Sequence, residues 1–267
     1  MAVRSFLSLL FSAARKGIIF LTSVLLFFSL SARDLSAEDL DPATALATLL
    51  RQNSVLIVGE THRRPESPRL VADIVEAYLN AGGCLTVALE IGSDQQPVLD
   101  TAMRGEHSAI RIHPIIDHRA YREMLTKFMD LVQRGRCLRV HAVDAPEQDT
   151  GSKDAWMARE IQALIPSSPV LVLVGSLHVL KRIQWESGKD NPYLAERLVR
   201  RGIPVLTVLQ EWEGDCEKRV GRLLNIRHPR AVEVLGLTLS VTSAYPPEEP
   251  EEVVDRVVMW ECVQAKK

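Results

Sequence analysis

The stretch SVLIVGETH, Ser54–His62, carries four consecutive aliphatic residues directly into a Gly-x-x-His turn. A second stretch, PVLVLVGSLH, Pro169–His178, repeats this arrangement more than a hundred residues later in the chain. Short, wholly apolar runs that end at a glycine are typical of strands buried on both faces of a sheet. The two stretches therefore predict two buried strands, each of which presents a histidine just beyond its end.

Helical and strand patterns alternate from residue 41 onward. Strands that are apolar on both faces and alternate with helices predict an α/β fold, with a mostly parallel central sheet and helices on both faces. The segment RVVMWEC, Arg256–Cys262, predicts one more strand, antiparallel at an edge. We expect a single α/β domain over residues 41–263. The other predicted strands are 85–89, 138–143 and 204–209, and the predicted helices are 41–53, 68–83, 95–105, 121–135, 153–165 and 191–202.

The first 33 residues resemble a secretory signal peptide. Three basic residues, at positions 4, 15 and 16, precede the uncharged segment GIIFLTSVLLFFSLSA, Gly17–Ala32, which ends in small residues. This order of a basic region, an apolar core and a small-residue exit is typical of cleaved export signals. An uncleaved membrane anchor is the alternative, since 16 apolar residues lie just under the length that spans a bilayer. We expect export to the periplasm or secretion, with no stable membrane span after cleavage.

The charge of the expected mature chain is acidic. The sequence has 32 Lys and Arg against 34 Asp and Glu, and residues 1–33 hold four of the basic groups and no acidic one. Without them 28 basic groups face 34 acidic ones, a net charge near −6. Phosphate backbones bind basic surfaces, so nucleic acid is not an expected partner. A small-molecule or peptide substrate is expected, and the sequence leaves the oligomeric state open.

Four cysteines in an exported chain favour disulfide pairing. Cys84 and Cys137 each precede a predicted strand, so neighbouring strands would place the two thiols side by side at one edge of the sheet. Cys216 and Cys262 would then pair with each other. Four reduced thiols are the alternative.

Acidic or imidazole side chains follow each of five predicted parallel strands. In parallel α/β sheets ligands bind beyond the carboxyl ends of the strands, so these side chains are expected along one edge. If both Gly-x-x-His turns feed one site, the two histidine rings must lie within about 10 Å of each other, with Glu90 between or beside them. The first and fourth strands must then be close in sheet order, because adjacent strands are about 4.8 Å apart. The side chains are Glu60 and His62, Glu90, Asp144, His178, and Glu211 with Trp212.

Glu60, His62, Glu90 and His178 are the candidate catalytic residues. Two imidazoles with carboxylates can activate a water molecule against an ester or amide carbonyl without a metal. Alternatively, His62, Glu90 and His178 can bind a divalent ion such as Mn²⁺, Co²⁺ or Zn²⁺. Acids after strands also serve as caps of the next helix, and the glycines of both motifs are expected to make tight turns. The sequence contains no G-x-S-x-G, Walker or G-x-G-x-x-G motif.

The stretches VGETH, VALEIG and VGSLH resemble the superfamily that includes Tiki and TraB proteins, erythromycin esterases and haem-binding ChaN-like proteins. A weaker match is KDAWMAREI, Lys153–Ile161, which is similar to the Arg-Asp-x-x-Met-Ala helix start of the esterase-like and ChaN-like members. Lys153 stands where arginine is usual. The resemblance covers about residues 54–211 and implies an α/β fold with its site at the strand ends.

The resemblance implies two classes of function. One is an exported hydrolase of the Tiki or erythromycin esterase type, which would activate water either without a metal or with a divalent metal ion as its cofactor. The other is a haem- or ligand-binding protein for uptake, without catalysis. In ChaN-like proteins the family's sequence pattern continues, after the second histidine motif, at about the distance that separates Tyr193 from His178 here. The resemblance therefore makes Tyr193 a candidate haem ligand. Its alternative role is that of an ordinary residue in the first turn of a helix.

Overall fold

Seven strands form one mixed sheet in the computed structural model, which describes residues 41–188, 190–245 and 248–263. Their order across the sheet is β3-β2-β4-β1-β5-β7-β6. All neighbours pair in parallel except β7 and β6, which are antiparallel. The predicted signal peptide at residues 1–33 lies outside the described residues. The strands are β1 (Val55–Glu60), β2 (Leu85–Gly92), β3 (Leu138–Asp144), β4 (Val170–Gly175), β5 (Val205–Trp212), β6 (Arg219–Asn225) and β7 (Arg256–Cys262).

Seven α-helices in this part of the chain flank the sheet. Short 3-10 turns lie at Ser93–Gln95, Ile165–Ser167, Ser176–Val179 and Pro250–Glu252. Over the described ranges, no helix has the length and apolar character needed to cross a membrane. The helices are α1 (Pro42–Ala47), α2 (Glu66–Asn80), α3 (Gln96–Met103), α4 (Arg119–Gln133), α5 (Lys153–Leu164), α6 (Leu194–Arg200) and α7 (Pro229–Val241).

The sheet separates two apolar cores. Alternate residues of a strand point to opposite faces, so Leu56 and Val58 of β1 pack with helices α1 to α4. Val55 and Ile57 pack on the other face with α5, α6 and α7. The predicted α/β fold, with a mostly parallel sheet covered on both faces, is confirmed.

The two motif-bearing strands are direct neighbours. β1 pairs with β4 along its whole length, and the last pair in the register is Glu60 with Gly175. β2 lies on the other side of β4. The ends of β1, β4 and β2 are therefore consecutive along one edge of the sheet, as the paired motifs predict.

The region after residue 211 contains elements that the sequence did not predict, β6 and α7. β6 is the edge strand, its burial alternates, and it carries two arginines, so it has no continuous apolar run. The predicted strand Arg256–Cys262 exists, but its expected place at the edge is wrong. It lies inside the sheet, parallel to β5, and only its pairing with β6 is antiparallel.

Both predicted disulfides are present. Cys84 bonds Cys137 at the starts of β2 and β3, and Cys216 bonds Cys262 at the end of β7. All four cysteines belong to the described residues and none is free.

Candidate functional site

The first imidazole–carboxylate pair follows β1. Nδ1 of His62 lies 2.9 Å from Oε1 of Glu60, the last residue of the strand. The Glu60 side chain is 2% exposed and that of His62 is 33% exposed, so a buried carboxylate orients an imidazole that reaches solvent. Such a bond fixes the tautomer of the ring and directs Nε2 away from the carboxylate.

The second imidazole–carboxylate pair joins the turn after β4 to the start of α5. Nδ1 of His178 lies 2.6 Å from Oδ1 of Asp154, and the same oxygen accepts the backbone N–H of Leu194 at 2.7 Å. Ser152 caps α5 by accepting from the N–H of Ala155, which places Asp154 in the first helical turn. The two bonds to Asp154 therefore hold the His178 ring in one orientation.

Glu90, near the end of β2, contacts the end of β4 and lies close to the second imidazole–carboxylate pair. Its Oε2 accepts the backbone N–H of Gly175 at 2.9 Å, and its Oε1 lies 4.0 Å from Nε2 of His178. The carboxylate charge thus faces the side of the His178 ring opposite Asp154.

The two imidazoles converge on Gly175. A Cβ atom built on this glycine would lie 3.4 Å from Cε1 of His62 and 3.5 Å from Cδ2 of His178. The two rings are therefore closer together than the separation of about 10 Å that the paired motifs predicted as an upper limit. A cavity of about 300 Å³ opens here, lined by Glu60, Thr61, His62, Gly175, Ser176, Leu177 and His178.

The carboxylates raise the pKa of both imidazoles. For His62 the hydrogen bond with Glu60 is the main cause, reinforced by the charge of Glu90, while partial burial acts in the opposite direction. For His178 burial by itself lowers the pKa, but the bond and charge of Asp154, together with Glu90, outweigh it. Each ring is thus a stronger base than a free imidazole.

The motif glycines are needed for space and not for a turn. Gly175 has φ −55° and ψ 148°, a conformation open to any residue, and Gly59 is not among the residues with positive φ. A Cβ on Gly59 would lie 2.8 Å from the Val179 side chain and 3.0 Å from the Cα of Ser176. The expected tight-turn role is wrong, because neither glycine has a positive φ. The missing Cβ of Gly59 lets the end of β1 approach the turn after β4, whereas that of Gly175 leaves open the space between the two imidazoles.

The metal and haem-ligand predictions have different outcomes. His62, Glu90 and His178 surround one point, but no group of three or more His, Cys, Asp or Glu side chains in the described ranges is arranged to hold a metal ion. Tyr193 lies next to the site, with its ring edge-on to His178 at 5.9 Å between centroids and to Trp185 at 5.5 Å. Its role as a haem ligand stays a prediction.

Asp154 is the site residue that the sequence did not identify. The only sequence feature that pointed to Asp154 was its place in the helix start KDAWMAREI. Lys153, the residue directly before it, bonds Asp144, with Nζ 2.7 Å from Oδ2. Asp144 is therefore bonded to Lys153 beside the site and belongs to neither of the two imidazole–carboxylate pairs. Glu211 lies elsewhere, in a groove between β5 and α7.

Comparison with solved structures places the fold among known proteins. A succinoglycan biosynthesis protein has a TM-score of 0.60 at 11% identity, covering 85% of this chain and 92% of its own. A Bacillus cereus protein has a TM-score of 0.59 at 11% identity, with the same coverage of 85% and 92%. ChaN of Campylobacter jejuni, described as binding haem cofacially, has a TM-score of 0.45 at 12% identity, covering 80% of this chain and 89% of its own. At these identities the likeness concerns the fold.

The sequence itself matches one family model and no curated protein. Residues 46–152 match the model described as "Haem-binding uptake, Tiki superfamily, ChaN". This span contains Glu60, His62 and Glu90, and it ends before Asp154 and His178. The resemblance to the Tiki superfamily with its ChaN-like members, predicted from the strand-end motifs, is therefore confirmed.

Proposed function

We propose that this protein is an exported hydrolase that activates water against an ester or amide carbonyl. The observation that supports it is the convergence of two imidazoles on Gly175, each with its Nδ1 bonded to a carboxylate. A carboxylate on Nδ1 leaves Nε2 as the working nitrogen and stabilises the imidazolium that forms when the ring takes a proton.

In this mechanism the two histidines have different roles. Neutral His62, the more exposed ring, takes a proton from water while the water oxygen attacks the carbonyl carbon. Protonated His178, flanked by Asp154 and Glu90, donates a hydrogen bond to the carbonyl oxygen as negative charge develops there. The His62 imidazolium then returns its proton to the leaving oxygen or nitrogen, which yields a carboxylic acid and an alcohol or amine.

In the part of the chain that the structure describes, the histidine and carboxylate side chains of the site are not arranged as a three-ligand metal centre. No step is therefore assigned to a metal ion. We expect that dialysis against a chelator leaves the activity unchanged, and a loss that added Zn²⁺, Mn²⁺ or Co²⁺ restores would contradict the metal-free mechanism.

The test is a screen of the mature chain against chromogenic esters and amides, followed by substitution. His62→Gln removes the base and is expected to lower kcat by about 10²- to 10⁴-fold. His178→Gln keeps an N–H donor and should retain more activity than His178→Ala. His107→Ala, an exposed histidine outside the site, is the matched control. Equal activity in the wild type and His62→Gln would contradict the proposal.

Haem binding without turnover is the second candidate. The family model that matches residues 46–152 supports it through its description as haem-binding uptake. Haem iron takes an imidazole or phenolate as axial ligand, and His62 is the exposed imidazole that would hold it. The cavity of about 300 Å³, with Leu177 as its single aliphatic lining residue, does not fit an enclosed haem.

Titration with haemin, followed by the visible absorbance spectrum, tests this candidate. A saturable spectral change in the wild type that His62→Ala abolishes and His107→Ala preserves would support it. Tyr193→Phe in the same titration tests the haem-ligand prediction for that residue. Superimposable spectra with and without the protein, after subtraction of free haemin, would contradict haem binding.

Export is part of the proposal. Two disulfides are typical of proteins that fold in oxidising compartments, and the first 33 residues resemble a signal peptide. Fractionation of cells that express the full chain should recover the oxidised protein outside the cytoplasm. Recovery of a reduced chain from the cytoplasm alone would argue against export.

A further inference from the structure

Tyr121 is a buried phenol that the mechanism above does not use. It lies in the first turn of α4 and is 1% exposed. Its hydroxyl has no hydrogen-bond partner among the residues that the structure describes. A buried donor without an acceptor is costly, and each such group in a native fold calls for an explanation.

Glu60 carries the matching unpaired acceptor. Its Oε1 bonds His62, whereas Oε2 is buried and makes no hydrogen bond within the described ranges. Because side chains alternate along β1, Glu60 shares the sheet face of Leu56 and Val58, and Tyr121 packs in the same core cluster as those two residues. The unpaired donor and the unpaired acceptor therefore lie on one face of the sheet.

The effect of nearby charges on the pKa of Tyr121 agrees with the placement of Tyr121 and Glu60 on one face of the sheet. Burial is the main cause that raises the pKa of Tyr121, and among the charged groups that add to it Glu60 comes first, followed by Glu90. The phenol therefore stays protonated at neutral pH, so its hydroxyl remains a donor.

We infer that Tyr121 is a positioning residue, whose hydroxyl donates to Oε2 of Glu60 through one bridging water. The bond would hold Oε2 of the carboxylate while Oε1 orients His62. Tyr121 would then act on the imidazole through Glu60, without touching substrate. This inference concerns the site of the proposed hydrolase and rests on that function only for its catalytic consequence.

His118 is the competing partner for the hydroxyl. Its ring lies edge-on to Tyr121 with centroids 6.3 Å apart, and its buried Nε2 also lacks a partner among the described residues. A test must therefore separate coupling to Glu60 from coupling to His118.

A double-mutant cycle in urea unfolding makes this separation without any assay of activity. Tyr121→Phe keeps the ring and removes only the hydroxyl, and Glu60→Met removes both carboxylate oxygens from an unbranched side chain. We expect Tyr121→Phe to lower the urea midpoint of the otherwise wild-type chain and to leave that of Glu60→Met unchanged. Glu60→Gln replaces Glu60→Met if the latter does not fold, and the Tyr121→Phe effect should then be smaller than in the wild type. Tyr78→Phe, a half-buried tyrosine of α2, is the control and should behave alike in both backgrounds.

The inference is overturned if Tyr121→Phe lowers the urea midpoint equally in the wild-type and Glu60→Met backgrounds. It is also overturned if this decrease disappears only when Tyr121→Phe is combined with His118→Ala. The catalytic arm uses the substrate found in the hydrolase screen. There Tyr121→Phe should lower kcat about tenfold with KM unchanged, because the bound substrate does not reach the hydroxyl. If the screen finds no substrate, the urea cycle still decides whether Tyr121 positions Glu60, so the two failures are distinguishable.

Discussion

Gly175 shows how a single missing side chain permits the site. Its conformation suits alanine, but an alanine Cβ would lie 3.4–3.5 Å from atoms of both imidazoles. The rings would then be in contact with a methyl group at the point where the proposed mechanism places the water and the substrate.

We therefore predict that Gly175→Ala lowers hydrolytic activity at least tenfold while the urea midpoint stays within error of the wild type. Gly236→Ala is the matched control, because a Cβ there meets no atom within 4 Å and the residue lies inside α7. It should leave activity unchanged and stabilise the protein by up to about 1 kcal/mol, since alanine favours helices over glycine. Retained activity in Gly175→Ala would show that the space between the rings is not the reaction site.

The pH dependence of activity follows from His62. The ring must be neutral to accept a proton, and Glu60 and Glu90 raise its pKa above the usual 6.5, whereas His178 opposes this. We predict that kcat/KM rises with pH through a midpoint above 6.5 and that Glu60→Gln moves this midpoint to lower pH. A pH–rate profile of both proteins measures it, and identical acidic limbs would contradict the role of Glu60.

The same shift has a consequence for stability. Because the folded pKa of His62 lies above the unfolded value of 6.5, protonation favours the folded state. The stabilisation is complete below pH 6.5 and is lost as the pH rises through the folded value. Glu60→Gln should reduce this dependence in a series of urea unfolding curves and leave the part that the raised pKa of His178 contributes.

At the scale of elements, Asp154 ties three segments together. It lies in the first turn of α5, orients His178 in the turn after β4, and accepts the first backbone N–H of α6 at Leu194. One carboxylate thus joins two helix starts to the site, so the arrangement of these segments depends on an interaction that no local sequence pattern contains.

We predict that Asp154→Ala accelerates hydrogen exchange at the Leu194 amide and lowers activity more than Asp154→Asn, which keeps one oxygen acceptor. The loss should be confined to the α6 start and the site, because the core of α5 is formed by Met157, Ala158 and Ile161. Glu147→Gln, an exposed carboxylate in the preceding loop, is the control. Unchanged exchange at Leu194 in Asp154→Ala would mean that the bond is not formed in solution.

At the scale of the molecule, the Cys84–Cys137 disulfide and the candidate site lie at opposite ends of β2 and β3. The cysteines precede the two strands, whereas Glu90 and Asp144 lie near their carboxyl ends. The bond closes a loop over a sequence separation of 53 residues.

We predict that the Cys84→Ser, Cys137→Ser double variant loses about 4 kcal/mol in its free energy of unfolding, as the chain-entropy relation gives for a loop of this length. Activity per folded molecule should be unchanged, because the opposite end of the sheet supports the site. Equilibrium unfolding with an activity assay in native buffer measures both. A loss of activity at full folding would show that the disulfide end and the site are coupled.

The sequence by itself determined the alternation of elements, the two Gly-x-x-His strand ends and the pairing of the cysteines. These features are local or follow from local features, since a wholly apolar run is a buried strand and parallel strands bring their carboxyl ends to one edge. Glu60, His62, Glu90 and His178 could be identified for this reason. β6 was not predicted, because an edge strand with arginines buries only part of its surface and lacks a continuous apolar run.

Only the tertiary structure decided which groups pair. The partnership of His178 with Asp154, the place of Gly175 between the imidazoles and the burial of Tyr121 on the sheet face that Glu60 shares all join residues far apart in the chain. Their geometry depends on strand order and on how the helices pack over the sheet, which sequence periodicity does not encode. The strand order also placed β7 inside the sheet, because β7 pairs with β5 on one side and with β6 on the other.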